Sequence, residues 1–366
     1  MIVIATYNQT IVYKYLSFGV GIVLAIPILG LIALAVTLPI TISGVEYLLA
    51  SSVIVAGLLL APWKSRQHRI LTAIGVFVLI LIATVRIILG EQNSTSNLKM
   101  VTLPQGGGTR WVSYVIDEQD SLIFGETLFH FIGGSSASEH ESITQSIYKD
   151  YADMRQAQRI VPSPIINTYL GLQRPGAFDA VLVEPEVNRQ PEIGVVFLHG
   201  YMGNVTAQCW EIAQPVSHFG AVTICPSTEW SGEWWQPEGQ EIIQATFDYL
   251  RGRGIKNFYL GGFSNGGFSI NRLASQFGNE DNLIGLFLID GIYDGASLRE
   301  TGLPILIIQG TQDERVPAAG VRQIYETIGA SATYIEIDSD HFLIMKQPDE
   351  VQIAIQTWLE NHQPYR

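Results

Sequence analysis

Residues 17–40, "SFGVGIVLAIPILGLIALAVTLPI", contain no charged side chain. About 20 such residues make a helix that crosses a bilayer, and a helix apolar on every side has no polar face to turn to water. This stretch therefore demands an apolar solvent, and two more come after it. "YLLASSVIVAGLLLAPW" (47–63) is shorter, and "ILTAIGVFVLILIATV" (70–85) is extended by "RIILG". The expected spans are about 17–40, 46–63 and 69–90. "ALA" at 33–35 offers a signal-cleavage alternative, but the apolar run is long for that and continues past the site. Lys14 precedes the first span and "KSRQHR" (64–69) joins the second to the third, while "TISG" between the first two is uncharged. The positive-inside rule then puts Lys14 and 64–69 in the cytoplasm and everything after Gly90 outside. Glu46 and Arg86 fall at the outer interface, where they either pair or end their helices separately.

Charge divides the chain at the same place. Residues 1–90 hold five Lys/Arg and one acid, leaving 16 basic and 33 acidic residues beyond. An acidic domain repels phosphate, so nucleic acid is not an expected partner. The segment 91–109 is polar and glycine-bearing and reads as a linker and turn. Its triple glycine lacks the Gly-Lys-Ser/Thr of a phosphate loop. Ser138 and Glu141 have the spacing of a capping box at the start of a polar-faced helix. The division expected is a membrane anchor (1–90), a linker (91–109) and a catalytic domain (110–366).

From 178 onward, seven short apolar runs appear: "FDAVLVEP", "IGVVFLHG", "AVTICPS", "FYLGGFS", "LIGLFLID", "PILIIQG" and "TYIEID". Helix-length segments near 204–219, 237–252, 266–278, 317–329 and 347–360 separate most of them. Near-continuous Val/Ile/Leu strands alternating with helices argue an α/β fold with a mostly parallel sheet. Chemistry in such folds gathers beyond the carboxyl ends of the strands.

In "FYLGGFSNGGFSI" (258–270), Ser264 stands where a strand ends and a helix begins. A turn that tight strains the serine backbone and lifts its hydroxyl, and residues 262 and 266 must be tiny to pass one another. A glycine-rich connection with a capping serine is the plainer alternative. A serine nucleophile needs a base. His341, in "IEIDSDHFLIM" after the last strand, is the best placed of seven histidines. Asp313, in "PILIIQGTQDERVP", is the expected orienting acid; Asp290 at the end of "LFLID" is its rival, with Glu314 and Asp340 weaker. The amides of Asn265 and Tyr201, the latter after His199-Gly200, are candidate oxyanion donors. His199 is expected to be structural.

These features, in this order and each after a strand, resemble the α/β-hydrolase superfamily over about 178–366, with 110–177 as an extension. The resemblance implies Ser264 as nucleophile, Asp313 as acid, His341 as base, and the Tyr201 and Asn265 amides as oxyanion hole. "HGYMGN" departs from the His-Gly-Gly-Gly pattern of one lipase and esterase branch and is more similar to carboxylesterase, acyl-peptidase and dienelactone-hydrolase types. The implied activity is cleavage of an ester, thioester or amide of a small-molecule, peptide or lipid acyl substrate, with no cofactor. An inactive binding module on the same fold is the alternative.

"STEWSGEWWQPEGQ" comes after the "AVTICP" strand. Trp230, Trp234 and Trp235, with Met202, are candidate substrate-binding residues walling an apolar pocket; packing beneath a long loop is the competing account. Trp210 is a fourth tryptophan near these loops. Cys209 and Cys225 either pair or stay as buried thiols. No metal-ligand spacing is present. "NST" (93–95) and "NVT" (204–206) match the glycosylation pattern.

Overall fold

The computed structural model describes residues 2–92, 97–185, 191–277 and 282–362. Three helices open the chain: α1 (Ile2–Thr37), α2 (Ile42–Leu59) and α3 (Ser65–Glu91). Over Ile11–Thr37, Ile42–Leu59 and Arg66–Glu91 they are long and apolar enough to cross a membrane. Lys64 lies between α2 and α3, and Arg66 and Arg69 at the start of α3, so the basic cluster stands where the two helices join.

The N-terminal end of α2 and the C-terminal part of α3 are tied to residues 114–120. Arg86 is buried and does not pair with Glu46. It donates to the carbonyls of Tyr114 (2.8 Å) and Ile116 (3.2 Å), to Ser43 Oγ (2.6 Å) and to Asp117 (3.3 Å). Asp117 also binds Arg155 at 3.0 Å. Asp120 accepts from Thr41 N–H at 2.9 Å and from the Thr41 hydroxyl, which caps α2 through Gly44 N–H. Burial makes these charges seek every local carbonyl and carboxylate, which a single surface pair with Glu46 would not supply.

β1 (Leu98–Leu103) comes next, so the segment read as linker holds an edge strand. Leu98, Met100 and Leu103 turn inward while Lys99 is exposed, a pattern short enough to be hidden between "NSTSN" and "PQGGG". The glycines form the turn after it, where Thr102 and Gly107 exchange backbone hydrogen bonds. Then come α4 (Glu118–Phe131), α5 (Ala137–Ala157) and α6 (Ile165–Tyr169). The capping box of α5 is Ser136 with Glu139, two residues before the expected pair: Ser136 Oγ accepts from Glu139 N–H, and Glu139 Oε2 from Ser136 N–H.

The remainder alternates: β2 (Phe178–Val183), β3 (Ile193–Leu198), α7 (Thr206–Ser217), β4 (Val222–Pro226), α8 (Pro237–Gly252), β5 (Asn257–Phe263), α9 (Asn265–Phe277), β6 (Leu283–Ile289), α10 (Gly295–Glu300), β7 (Ile305–Gly310), α11 (Ala318–Ile328), β8 (Ala332–Ile337), α12 (Leu343–Lys346) and α13 (Pro348–Asn361). The strands form one eight-stranded sheet in the order β1-β2-β4-β3-β5-β6-β7-β8. β2 is antiparallel to both its neighbours, and every other pairing is parallel.

Helices cover both faces. Phe287 and Ile289 pack with α5, α7 and α13, whereas Leu286 and Leu288 pack with α8, α9 and α11. Alternate residues of one strand thus enter opposite cores, which is why these strands are apolar throughout. Cys209 of α7 and Cys225 of β4 form a disulfide. Asn204 is buried, with its amide donating to Cys225 O (2.8 Å) and Ser227 Oγ (3.1 Å), so the "NVT" triplet is a packing element and not an accessible acceptor. The "NST" triplet falls outside the described residues.

Candidate active site

Ser264 comes directly after β5 with φ +51°, in the left-handed region that a residue bearing a Cβ seldom adopts. The flanking glycines permit it. A Cβ on Gly262 would meet the Gly266 carbonyl carbon at 2.5 Å, and one on Gly266 would meet Leu198 O at 2.1 Å. Ser264 N–H donates to Ile289 O of the next strand at 2.9 Å, so the sheet itself clamps the turn.

Three loops bring their side chains to this point. His341 Nε2 lies 2.9 Å from Ser264 Oγ. His341 Nδ1 lies 2.7 Å from Asp313 Oδ2. All three residues are buried. Asp313 Oδ1 accepts from the amides of Arg315 (2.8 Å) and Val316 (2.9 Å), the open end of a turn leading into α11. Burial pushes the Asp313 carboxyl up; the hydrogen bonds from His341, Val316 and Arg315 together outweigh it and leave the group below its ordinary value. Asp313 is therefore an anion beside the imidazole. The geometry brings together Ser264, Asp313 and His341. Glu314 is exposed, and Asp340 turns away to Lys346.

Gly200 explains how the β3 loop reaches the serine. A Cβ there would sit 2.9 Å from Ser264 Cβ. Tyr201 is next, then Met202 (φ +82°) and Gly203 (φ +92°), which turn the chain away. The Asn265 amide, at the first position of α9, has no carbonyl within its own helix to bind. His199 is fully buried, with Nδ1 2.8 Å from Gly200 O and Nε2 accepting from Thr228 N–H at 3.2 Å. Burial lowers its pKa to about 4, so it is neutral and structural, as expected.

The tryptophans divide. Trp234 is 0% exposed, and its Nε1 donates to His199 O at 2.9 Å. It is a core residue that braces the β3 loop and not a pocket wall, because both its ring and its polar tip are used inside. Trp235 packs against the core under Arg272. Trp230 is 44% exposed and meets the exposed Tyr201 edge-on at 4.7 Å. Met202, Tyr169 and Leu170 are exposed too, and the Tyr169 hydroxyl reaches Met202 O at 3.4 Å. Trp210 lies on α7, lining a cavity with Lys149 and Asp349 instead. A cavity of about 400 Å³ between the end of α3 and β1 is likewise lined by none of the candidate residues.

Sequence reasoning missed Gln309. It is fully buried at the end of β7, and its Nε2 donates to Val316 O (2.8 Å), Gly310 O (3.3 Å) and Asp313 Oδ2 (3.3 Å). The one signal was a polar residue closing an otherwise apolar strand. As metal ligands, Asp290, Asp313 and His341 place one donor atom each within 4.8 Å of one another. His341 Nδ1 and Asp313 Oδ2 already bind each other, so a metal would have to break that contact.

No protein-family profile and no curated protein sequence matches the chain. Solved structures do. An α/β serine hydrolase without a lid from Xanthomonas campestris is 18% identical, with TM-score 0.42 over 52% of this chain and 92% of that one. The esterase domain of a Rhodothermus marinus protein is 15% identical, with TM-score 0.43 over 51% and 93%. Est1E from Butyrivibrio proteoclasticus is 15% identical, with TM-score 0.41 over 51% and 94%. These scores describe a distant likeness of chain path. The assignment itself comes from the strand order, the single antiparallel β2 within the sheet and the strained serine turn after β5. The chain has the α/β-hydrolase fold, preceded by three helices long and apolar enough to cross a membrane.

Proposed function

We propose that this chain is a membrane-anchored serine hydrolase that cleaves an ester, thioester or amide through an acyl-enzyme. The observation that carries the reading is the unbroken relay from Ser264 Oγ to His341 Nε2 (2.9 Å) and from His341 Nδ1 to Asp313 Oδ2 (2.7 Å) on a strained turn. Ser264 Oγ attacks the acyl carbon as its proton passes to His341 Nε2. Asp313 keeps the other ring proton on Nδ1 and stabilises the imidazolium. The amides of Tyr201 and Asn265 receive the oxyanion. His341 returns its proton to the leaving group, and water activated by the same nitrogen releases the acyl group. The exposed rim of Tyr169, Tyr201, Met202 and Trp230 supports an apolar acyl or aromatic substrate.

The placement of basic residues favours the α/β domain outside the cytoplasm. The Cys209–Cys225 disulfide supports the same side, since such bonds persist in oxidising compartments.

The test is labelling of the full chain in detergent by a fluorophosphonate probe, with loss in Ser264→Ala, then turnover of p-nitrophenyl esters of graded chain length and of aminoacyl amides. Absence of labelling in the folded wild type would overturn the reading in favour of a binding module. A soluble fragment for this purpose has to begin before Leu98, because β1 completes the sheet.

A further inference from the structure

Asp290 comes directly after β6 and takes no part in the chemistry above. It is 0% exposed and, like Ser264, has a left-handed backbone, with φ +47°. Its Oδ1 accepts from Gly310 N–H at 2.8 Å. Its Oδ2 is buried without any donor. One oxygen of Asp290, one of Asp313 and a ring nitrogen of His341 lie within 4.8 Å of one another. A buried oxygen lacking a donor, close to a second buried acid, calls for a proton.

Two carboxyls so close in a dry site do not both ionise. The donors decide which stays neutral. Asp313 receives the His341 ring N–H, two backbone amides and the Gln309 side chain. Asp290 receives one amide. The ionisable groups beside Asp290 are the acids Asp313 after β7 and Asp340 before His341, the Tyr334 phenol on β8, and the His341 imidazole, whose Nδ1 is already held by Asp313. We infer that Asp290 is a neutral carboxylic acid whose Oδ2–H donates to the Asp313 carboxylate and so positions the group that holds His341. Burial, joined by the Asp313 and Asp340 charges and opposed by the Gly310 amide, pushes the Asp290 carboxyl up to about 9. Donation to Asp313 weakens that carboxylate as a base, which keeps the shared proton on His341 Nδ1 and leaves Nε2 free to accept from Ser264.

The inference rests on the proposed roles of Ser264, Asp313 and His341, so its test has one arm that needs no turnover. The infrared difference between full-length wild type and Asp290→Asn in detergent at neutral pH should contain the carbonyl band of a protonated carboxylic acid. Loss of a carboxylate band instead would overturn the proposal, whether or not the chain hydrolyses anything. The second arm is the pH profile of kcat/KM for an ester. Asp290→Asn keeps a donor in place, so the acid limb should stay within about 0.3 unit. An ionised Asp290 would stabilise the imidazolium, and its removal would move that limb down by about one unit or more, which refutes the idea. Wild-type activity should fall above about pH 9 as Asp290 ionises, and the fall should vanish in Asp290→Asn. Asp290→Ala, which leaves no donor, should lower kcat/KM about tenfold, most of it recovered by Asp290→Asn. Equal losses in the two variants would reduce Asp290 to a space-filler.

Discussion

The same residue types behave oppositely in the two halves of this molecule. In α1, Val23 is 68% exposed, Ile26 72% and Val36 82%, while Leu286, Phe287, Leu288 and Ile289 of β6 are all 0% exposed. The β6 residues find protein on both faces of the sheet. The three α1 residues lie largely uncovered, on a helix long and apolar enough to cross a membrane. Between the halves lies a polar seam, in which Arg86 binds Asp117 and Thr41 binds Asp120. Hydrophobic content therefore does not identify a core. What identifies it is whether the apolar groups have one another.

The largest effect that sharpens this comparison is confined to the α/β half. Ser264→Ala should lower turnover by about 10⁴-fold or more while leaving membrane association untouched. Steady-state kinetics alongside alkaline extraction of membranes would check both, and release of the variant by carbonate would break the separation. Next come truncations of equal chemistry. Leu288→Ala should destabilise the α/β half by about 2–5 kcal/mol, whereas Val23→Ala should change its unfolding free energy by less than about 0.5 kcal/mol. Denaturant titration monitored by tryptophan fluorescence reads both. Breaking the Cys209–Cys225 bond with Cys209→Ser should cost about 3 kcal/mol, since a cross-link over 16 residues restricts the unfolded chain; an unchanged midpoint under oxidising conditions would contradict that.

A pH dependence separates the halves in another way. Asp150 of α5 is buried against Glu211 of α7. Burial, then the Glu211 carboxyl, pushes its pKa up to about 9. A carboxyl raised in the folded state binds a proton there that the unfolded chain has already released. The stability it supports is therefore full below about pH 4 and lost progressively as pH rises toward 9. Glu118 adds the same sign, raised to about 7 by burial despite hydrogen bonds from Ser163, Tyr151 and Thr206. The melting temperature should fall between pH 5 and pH 9, and Asp150→Asn should flatten that slope. A slope unaltered by the substitution would place the titration elsewhere.

Much of the site was legible because each part is local. Gly262, Ser264 and Gly266 lie in one short stretch, and Asp313 and His341 each come after a strand that its own composition announces. Pro237 starts α8 where the sequence placed it. Elements that depend on distant partners were read less well. β1 is a strand because β2 pairs with it, and its six residues carry too little alternation to declare that alone. Trp234 looked like its neighbours Trp230 and Trp235, yet a carbonyl 35 residues upstream draws it inside. Gln309 gave almost no signal, since its partners are brought to it by the turn after β7.

From the sequence by itself came the three long apolar helices of the first ninety residues, the alternation of strand and helix, and the chain order Ser264, Asp313, His341 after successive strands, because periodicity, charge and glycine placement act within a few residues. Only the tertiary structure joined Cys209 to Cys225, turned Arg86 to Asp117 and buried Trp234 beneath the β3 loop. Those choices depend on distances of a few ångströms between segments far apart in the chain, and such distances exist only once the sheet has set its register.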